Sequence, residues 1–160
     1  MSDHAAELSK LTELARDIRI AMLTTVDAEG HFTARPMAQQ EVEFDGTLWF
    51  FTDSPGLMAE IRANSHVGVT LSSTDTWISI DGDAEIIDDV AKAKDLWNTW
   101  VEAWLPQGPE DPSVKLIRLN GHTAEYWDTP GSKVTSAISF LKTKLTGERT
   151  NVGENETVQL

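Results

Sequence analysis

Two neighbouring stretches, Ala28-Glu-Gly-His-Phe-Thr-Ala-Arg-Pro-Met37 and Gly46-Thr-Leu-Trp-Phe-Phe-Thr-Asp-Ser-Pro-Gly56, constrain the fold more than any other part of this chain. The first reads as a turn and a returning strand. The second reads as a strand running straight into a helix, with Ser54 as N-cap and Pro55 at the first helical position. Between them lie Arg35 and a helix N-terminus, both suited to hold an anionic group. Each also has an ordinary reading. An Arg can sit in a surface salt bridge, and a Ser-Pro pair caps any helix.

The pattern on either side continues in short pieces. Residues 5–18 place Ala6, Leu8, Leu11, Leu14, Ala15 and Ile18 at helical spacing. Ile20–Val26 is an apolar, β-prone run ending at the turn signal Asp27-Ala-Glu-Gly30. Residues 32–39 form the returning strand, 41–44 its continuation, and Asp45-Gly46 a hairpin turn before the strand at 47–52. Residues 57–63 supply a short helix. Strands are expected at 67–72 and 77–88, the latter with a bulge at Gly82. One helix is then expected from Val90 to about Leu105, a loop at 106–112, strands at 114–119 and 123–127, and a final helix at 133–145. Short turns and non-alternating helices predict a mainly β (α+β) fold, a six- to seven-stranded antiparallel barrel with flanking helices. At 160 residues the chain suits one domain, 1–147, followed by a polar tail at 148–160 expected to be mobile.

Charge and composition remove several function classes. A formal net charge of −13 disfavours nucleic acid and anionic membrane surfaces, both of which require a basic footprint. The longest apolar runs are too short to span a bilayer, and residues 1–20 lack the pattern of a secretory signal. With no cysteine, disulfides and thiolate metal sites are excluded, in keeping with a cytoplasmic protein. His4, His31, His66 and His122 show no ligand spacing, so no metal site is expected. Asp81, Asp83 and Glu85 alternate along a strand and read as a solvated face. Trp97, Trp100 and Trp104 fall on one face of a single helix, where packing is the ordinary role and Trp104 could roof a pocket.

Ala34-Arg-Pro-Met37, Leu48-Trp-Phe-Phe-Thr-Asp53, Ala59-Glu-Ile61 with Asn64, and Trp77-Ile-Ser-Ile-Asp-Gly-Asp-Ala-Glu85 occur in that order. They are followed by Leu96-Trp97, Ala103-Trp-Leu-Pro-Gln-Gly-Pro-Glu-Asp-Pro112 and Ala124-Glu-Tyr-Trp-Asp128. Over roughly residues 5–147 this ordered set resembles the general stress protein 26 family, which is similar to pyridoxamine 5′-phosphate oxidase and has the FMN-binding split β-barrel fold.

The resemblance implies FMN, with FAD also open, as cofactor. It implies that Arg35, Pro36, Met37, Phe51 and Thr52 line the flavin and that Thr52, Asp53 and Ser54 lie near its phosphate. It places Trp127 against the flavin held mainly by the other subunit, hence a homodimer with sites at the interface and a small-molecule ligand. One position departs from the family pattern. Leu57 stands where relatives carry a Lys that meets the phosphate. A lost charge-assisted contact of that kind costs about 1.5–3 kcal/mol. The chain offers no nucleophile or general base, which suits a flavoprotein because the cofactor carries the redox chemistry. Three readings stay open: a flavin-dependent oxidoreductase, a non-catalytic flavin binder or sensor, and a split-barrel scaffold that has lost flavin. Pyridoxamine phosphate oxidation itself is disfavoured, since Asp128-Thr-Pro-Gly131 follows Trp127 where the oxidases carry a substrate motif.

Overall fold

The computed structural model describes residues 2–40, 45–128 and 154–160. Expectations for 41–44, for a helix at 133–145 and for the first part of the tail lie outside the described residues. The elements are α1 (Ser2–Arg16), β1 (Ile20–Val26), β2 (Phe32–Ala38), β3 (Thr47–Thr52), α2 (Pro55–Ala63), β4 (His66–Ser72), β5 (Thr76–Ile87), α3 (Val90–Leu96), α4 (Thr99–Trp104), β6 (Lys115–Asp128) and β7 (Glu154–Gln159). All seven strands join one antiparallel sheet, ordered β2-β1-β4-β5-β6-β3, with β7 also paired to β6. This is the expected mainly β split barrel with flanking helices.

Alternation decides which face is which. Ala21, Leu23 and Thr25 of β1 are buried, whereas Ile20 and Met22 stand 53% and 39% exposed on the other face. The inward set continues through Leu48 and Phe50, Val67, Val69 and Leu71, and Ile78 and Ile80, and α1 and α2 add Leu11 and Ile61 to the same core. A second, small core forms outside the barrel, where Val101, Leu105 and Val114 pack with Phe51 and Trp97.

Four sequence expectations are corrected. The helix expected from Val90 to Leu105 is two helices, because Trp97 leaves helical geometry and Asn98 caps a new start, its side chain accepting from the N–H groups of Trp100 and Val101. The single tryptophan face is therefore lost: Trp97 is partly buried, while Trp100 and Trp104 are 62% and 77% exposed. The strands expected at 114–119 and 123–127 are one continuous β6. The bulge expected at Gly82 is present, but its extra residue lies on the partner strand. Asp81 pairs with Thr123 and Gly82 with Gly121, leaving His122 unmatched. Finally, residues 154–159 are not a mobile tail. They pair along β6 as β7 and bury Val158 completely, because the second half of β6 would otherwise be an open edge over the core.

Candidate functional site

The β3–α2 junction forms as its sequence implies. Ser54 is extended at the N-cap, its hydroxyl accepts the Leu57 N–H at 3.3 Å, and its carbonyl accepts that of Met58 at 3.1 Å. The Thr52 hydroxyl accepts from Ser54 N at 3.1 Å and holds the bend. No acidic residue lies in the first turn of α2, and Gly56 has only the Ser54 Oγ near the place of a side chain. The helix start is therefore a neutral donor cradle with its positive dipole end open. Asp53 is exposed and its carboxylate accepts from Gln107 Nε2 at 3.1 Å, which draws the loop after α4 to this junction. Phe51 meets Trp97 edge to face at 5.2 Å.

Arg35 behaves differently from its expected role. Its guanidinium donates to the hydroxyls of Thr25 and Thr33, both at 2.7 Å, and to Glu60 Oε2 at 3.2 Å. Glu60 also accepts from Thr25 at 2.5 Å and Thr33 at 3.1 Å. The group is only about a quarter exposed, so this is a part-buried ion pair between the barrel wall and the second turn of α2. Glu60 lies about 9 Å along the helix axis from the Ser54 cap. Arg35 and the helix N-terminus thus flank one wall without converging on one point.

The Thr25 hydroxyl foremost, then Thr33 and the Arg35 charge, hold the Glu60 carboxyl below the ordinary value near 4.5, against the burial that would raise it. A depressed folded value means the pair stabilises fully above the unfolded value and loses its contribution as pH falls through the folded one. The urea midpoint should therefore decline from about pH 4.5 downward, and in Glu60→Gln this part of the decline should vanish. An identical acid profile in the variant would show that the pair does not contribute.

The remaining expected residues are spread over both faces. Pro36 is exposed, and Met37 packs against the main core. The Leu57 side chain is 6% exposed and buried in that core, so only its backbone N–H belongs to the helix start. Trp127 stands 38% exposed on the outer face, opposite Trp77. Thr52 pairs with Lys115, and Trp127 lies about a dozen residues further along the same strand, roughly 40 Å if straight. One chain cannot bring its own Trp127 to its own Phe51–Ser54. Sequence reasoning missed Thr25, Thr33, Glu60 and Gln107 as site residues. Only Glu60 carried a signal, through its place in Ala59-Glu-Ile61.

The family model described as pyridoxamine 5′-phosphate oxidase like matches residues 6–151. The chain belongs to this family. Within the pyridoxamine 5′-phosphate oxidase-like proteins it is similar to the general stress FMN/FAD binding protein of Xanthomonas citri, at 34% identity over 79% of this chain and 92% of that one, with a TM-score of 0.67. A Clostridium acetobutylicum protein related to general stress protein 26 shares the fold at a TM-score of 0.73, with 17% identity over 97% of this chain and 95% of its own. Protein bli-3 of Neurospora crassa is 26% identical over 92% of this chain and 77% of its own length. No helix among the described residues is long and apolar enough to cross a membrane.

Proposed function

We propose that this chain binds flavin, FMN with FAD as the alternative, and acts as a cytoplasmic flavin-dependent oxidoreductase on a small molecule. The observation that carries this reading is the β3–α2 junction. A capped helix start without acidic neighbours presents the Ser54 and Thr52 hydroxyls and backbone N–H groups, donors of the kind a flavin phosphate requires. Its support is the Xanthomonas citri relative, an FMN/FAD binding protein matched over 92% of its length.

In this proposal the phosphate rests on Thr52, Asp53 N–H, Ser54 and the first turn of α2, while Pro36, Met37 and Phe51 border the ring. Bound flavin supplies the hydride or electron transfer. Trp127 closes the site from a second copy, since its own chain cannot deliver it. A homodimer formed on the outer sheet face would cover Ile20, Met22, Trp77 and Trp127, each 38–53% exposed in the single chain.

A second reading is a split barrel that has lost flavin. Two observations favour it: Arg35 is neutralised by Glu60, and Leu57 points into the core. Titration of the purified protein with FMN and FAD, followed by flavin fluorescence, separates the two. We expect saturable quenching, tightened about tenfold in Glu60→Gln, where Arg35 is released toward the anion, and weakened in Arg35→Ala. Leu57→Lys is expected to lose about 2 kcal/mol of stability through lost burial. No quenching by either flavin at any concentration would overturn the proposal. Reduction of bound flavin by NADH or NADPH with turnover then separates an enzyme from a binder.

A further inference from the structure

The sheet gathers four residues that sequence spacing keeps apart. His66 leaves β4, Asp81 and Asp83 leave β5, and His122 leaves β6, all on the outer face. His66 Nε2 lies 2.5 Å from Asp81 Oδ1, and His122 Nδ1 lies 3.7 Å from Asp81 Oδ2. The other nitrogen of His122, Nε2, lies 3.0 Å from Asp83 Oδ2. The Ser65 hydroxyl donates to Asp83 Oδ1 at 3.4 Å.

His122 is the extra residue of the β6 bulge. Bulges re-aim a side chain at the cost of a ladder position, and this one adds His122 to the face that carries Asp81 and Asp83. The close approach around it is made possible by Gly82, where a Cβ would run into the Asn120 carbonyl. Beside the His66–Asp81 pair an open pocket of about 270 Å³ lies between Thr24, Asn64 and Ser79.

We propose that these residues form a site for a borderline divalent transition ion of the Zn²⁺ type. His66 Nε2, one Asp81 oxygen and His122 Nδ1 are the ligands, and Asp83 holds the far nitrogen of His122. Ligand atoms about 2.0–2.2 Å from a tetrahedral ion stand some 3.3–3.6 Å apart, close to the present spacings, so small side-chain rotations suffice. Two imidazoles select against Mg²⁺ and Ca²⁺, which take oxygen donors. A carboxylate on the distal nitrogen is the usual partner of a metal-bound His, fixing its tautomer and raising its basicity. The fourth position faces the pocket and takes water. This site is independent of the flavin reading.

The test is calorimetric titration of tag-free, chelator-treated full-length protein with ZnCl₂ at pH 7.5. Co²⁺ absorption serves as a second, spectroscopic readout. One ion per chain is expected, with proton release and with binding fading below about pH 6 as the imidazoles take up protons. His66→Ala and His122→Ala should each weaken binding at least tenfold and remove the tetrahedral Co²⁺ bands, and Asp83→Asn about tenfold. All three side chains are roughly half exposed, so the variants should fold. His31→Ala, in the separate exposed Asp27–Glu29–His31 group, should change nothing. No saturable binding below 1 mM Zn²⁺ would overturn the proposal. So would affinity unchanged in both His66→Ala and His122→Ala, or lost in His31→Ala.

Discussion

Replacing Phe50 with Ala is expected to lower the free energy of unfolding by about 3–5 kcal/mol, the range for deleting a fully buried aromatic side chain. Phe50 is 0% exposed and stands inward from β3 opposite Ile117. Its neighbours Trp49 and Phe51 point the other way, so Phe50 holds the strand that delivers Phe51 through Ser54 to the helix start. Urea unfolding should show a reduced midpoint with an unchanged slope, and Phe50→Leu should recover most of the loss. A change below about 1 kcal/mol would mean that the barrel interior collapses around the gap far more freely than packed cores do. Flavin affinity should fall with stability in Phe50→Ala, because the cradle is a property of β3 and its turn.

The second large effect is expected at Gly82. A side chain there would meet the Asn120 carbonyl oxygen, with the carbonyl carbon at 3.0 Å and Gly121 Cα at 3.1 Å. All three are backbone atoms of β6, so no side-chain rotation relieves the contact. Gly82→Val should cost about 3 kcal/mol, the upper end of ordinary overpacking. It should also displace the bulge and with it His122. Thermal unfolding and Zn²⁺ titration of the same variant measure both consequences. Wild-type stability would show that the strands can separate at the bulge without loss. The mirror position, Gly121, is as constrained, since a Cβ would lie 3.0 Å from the Gly46 carbonyl oxygen and against Leu160.

Local signals carried much of the fold. Ile20–Val26 and Thr47–Thr52 have the expected strand bounds, and Ser54-Pro55 begins α2 because capping chemistry needs only adjacent residues. The break at Asn98 was also written locally, as an N-cap residue followed by Thr99 and Trp100. The helical spacing of three tryptophans outweighed it. The strand at 154–159 was not legible, because a polar segment becomes a strand only when a neighbour offers an unpaired edge.

The site divides along the same line. Its helix start was readable from Ser54, Pro55 and the absence of acidic residues in the next turn. The partner of Arg35 was not readable. Thr25 and Glu60 lie 10 and 25 residues away and meet it only because β1, β2 and α2 pack together. His66 and His122 show the same limit more sharply. Their separation in sequence has no ligand spacing, yet β4, β5 and β6 carry them to either side of Asp81. Sequence alone determined the elements, the family pattern and the anion-ready turn, because these depend on neighbours within a few residues. Only the tertiary structure decided that Arg35 is paired, that Leu57 is core and that two scattered histidines share a carboxylate. Those facts depend on strand register and on one bulged residue, which local sequence does not encode.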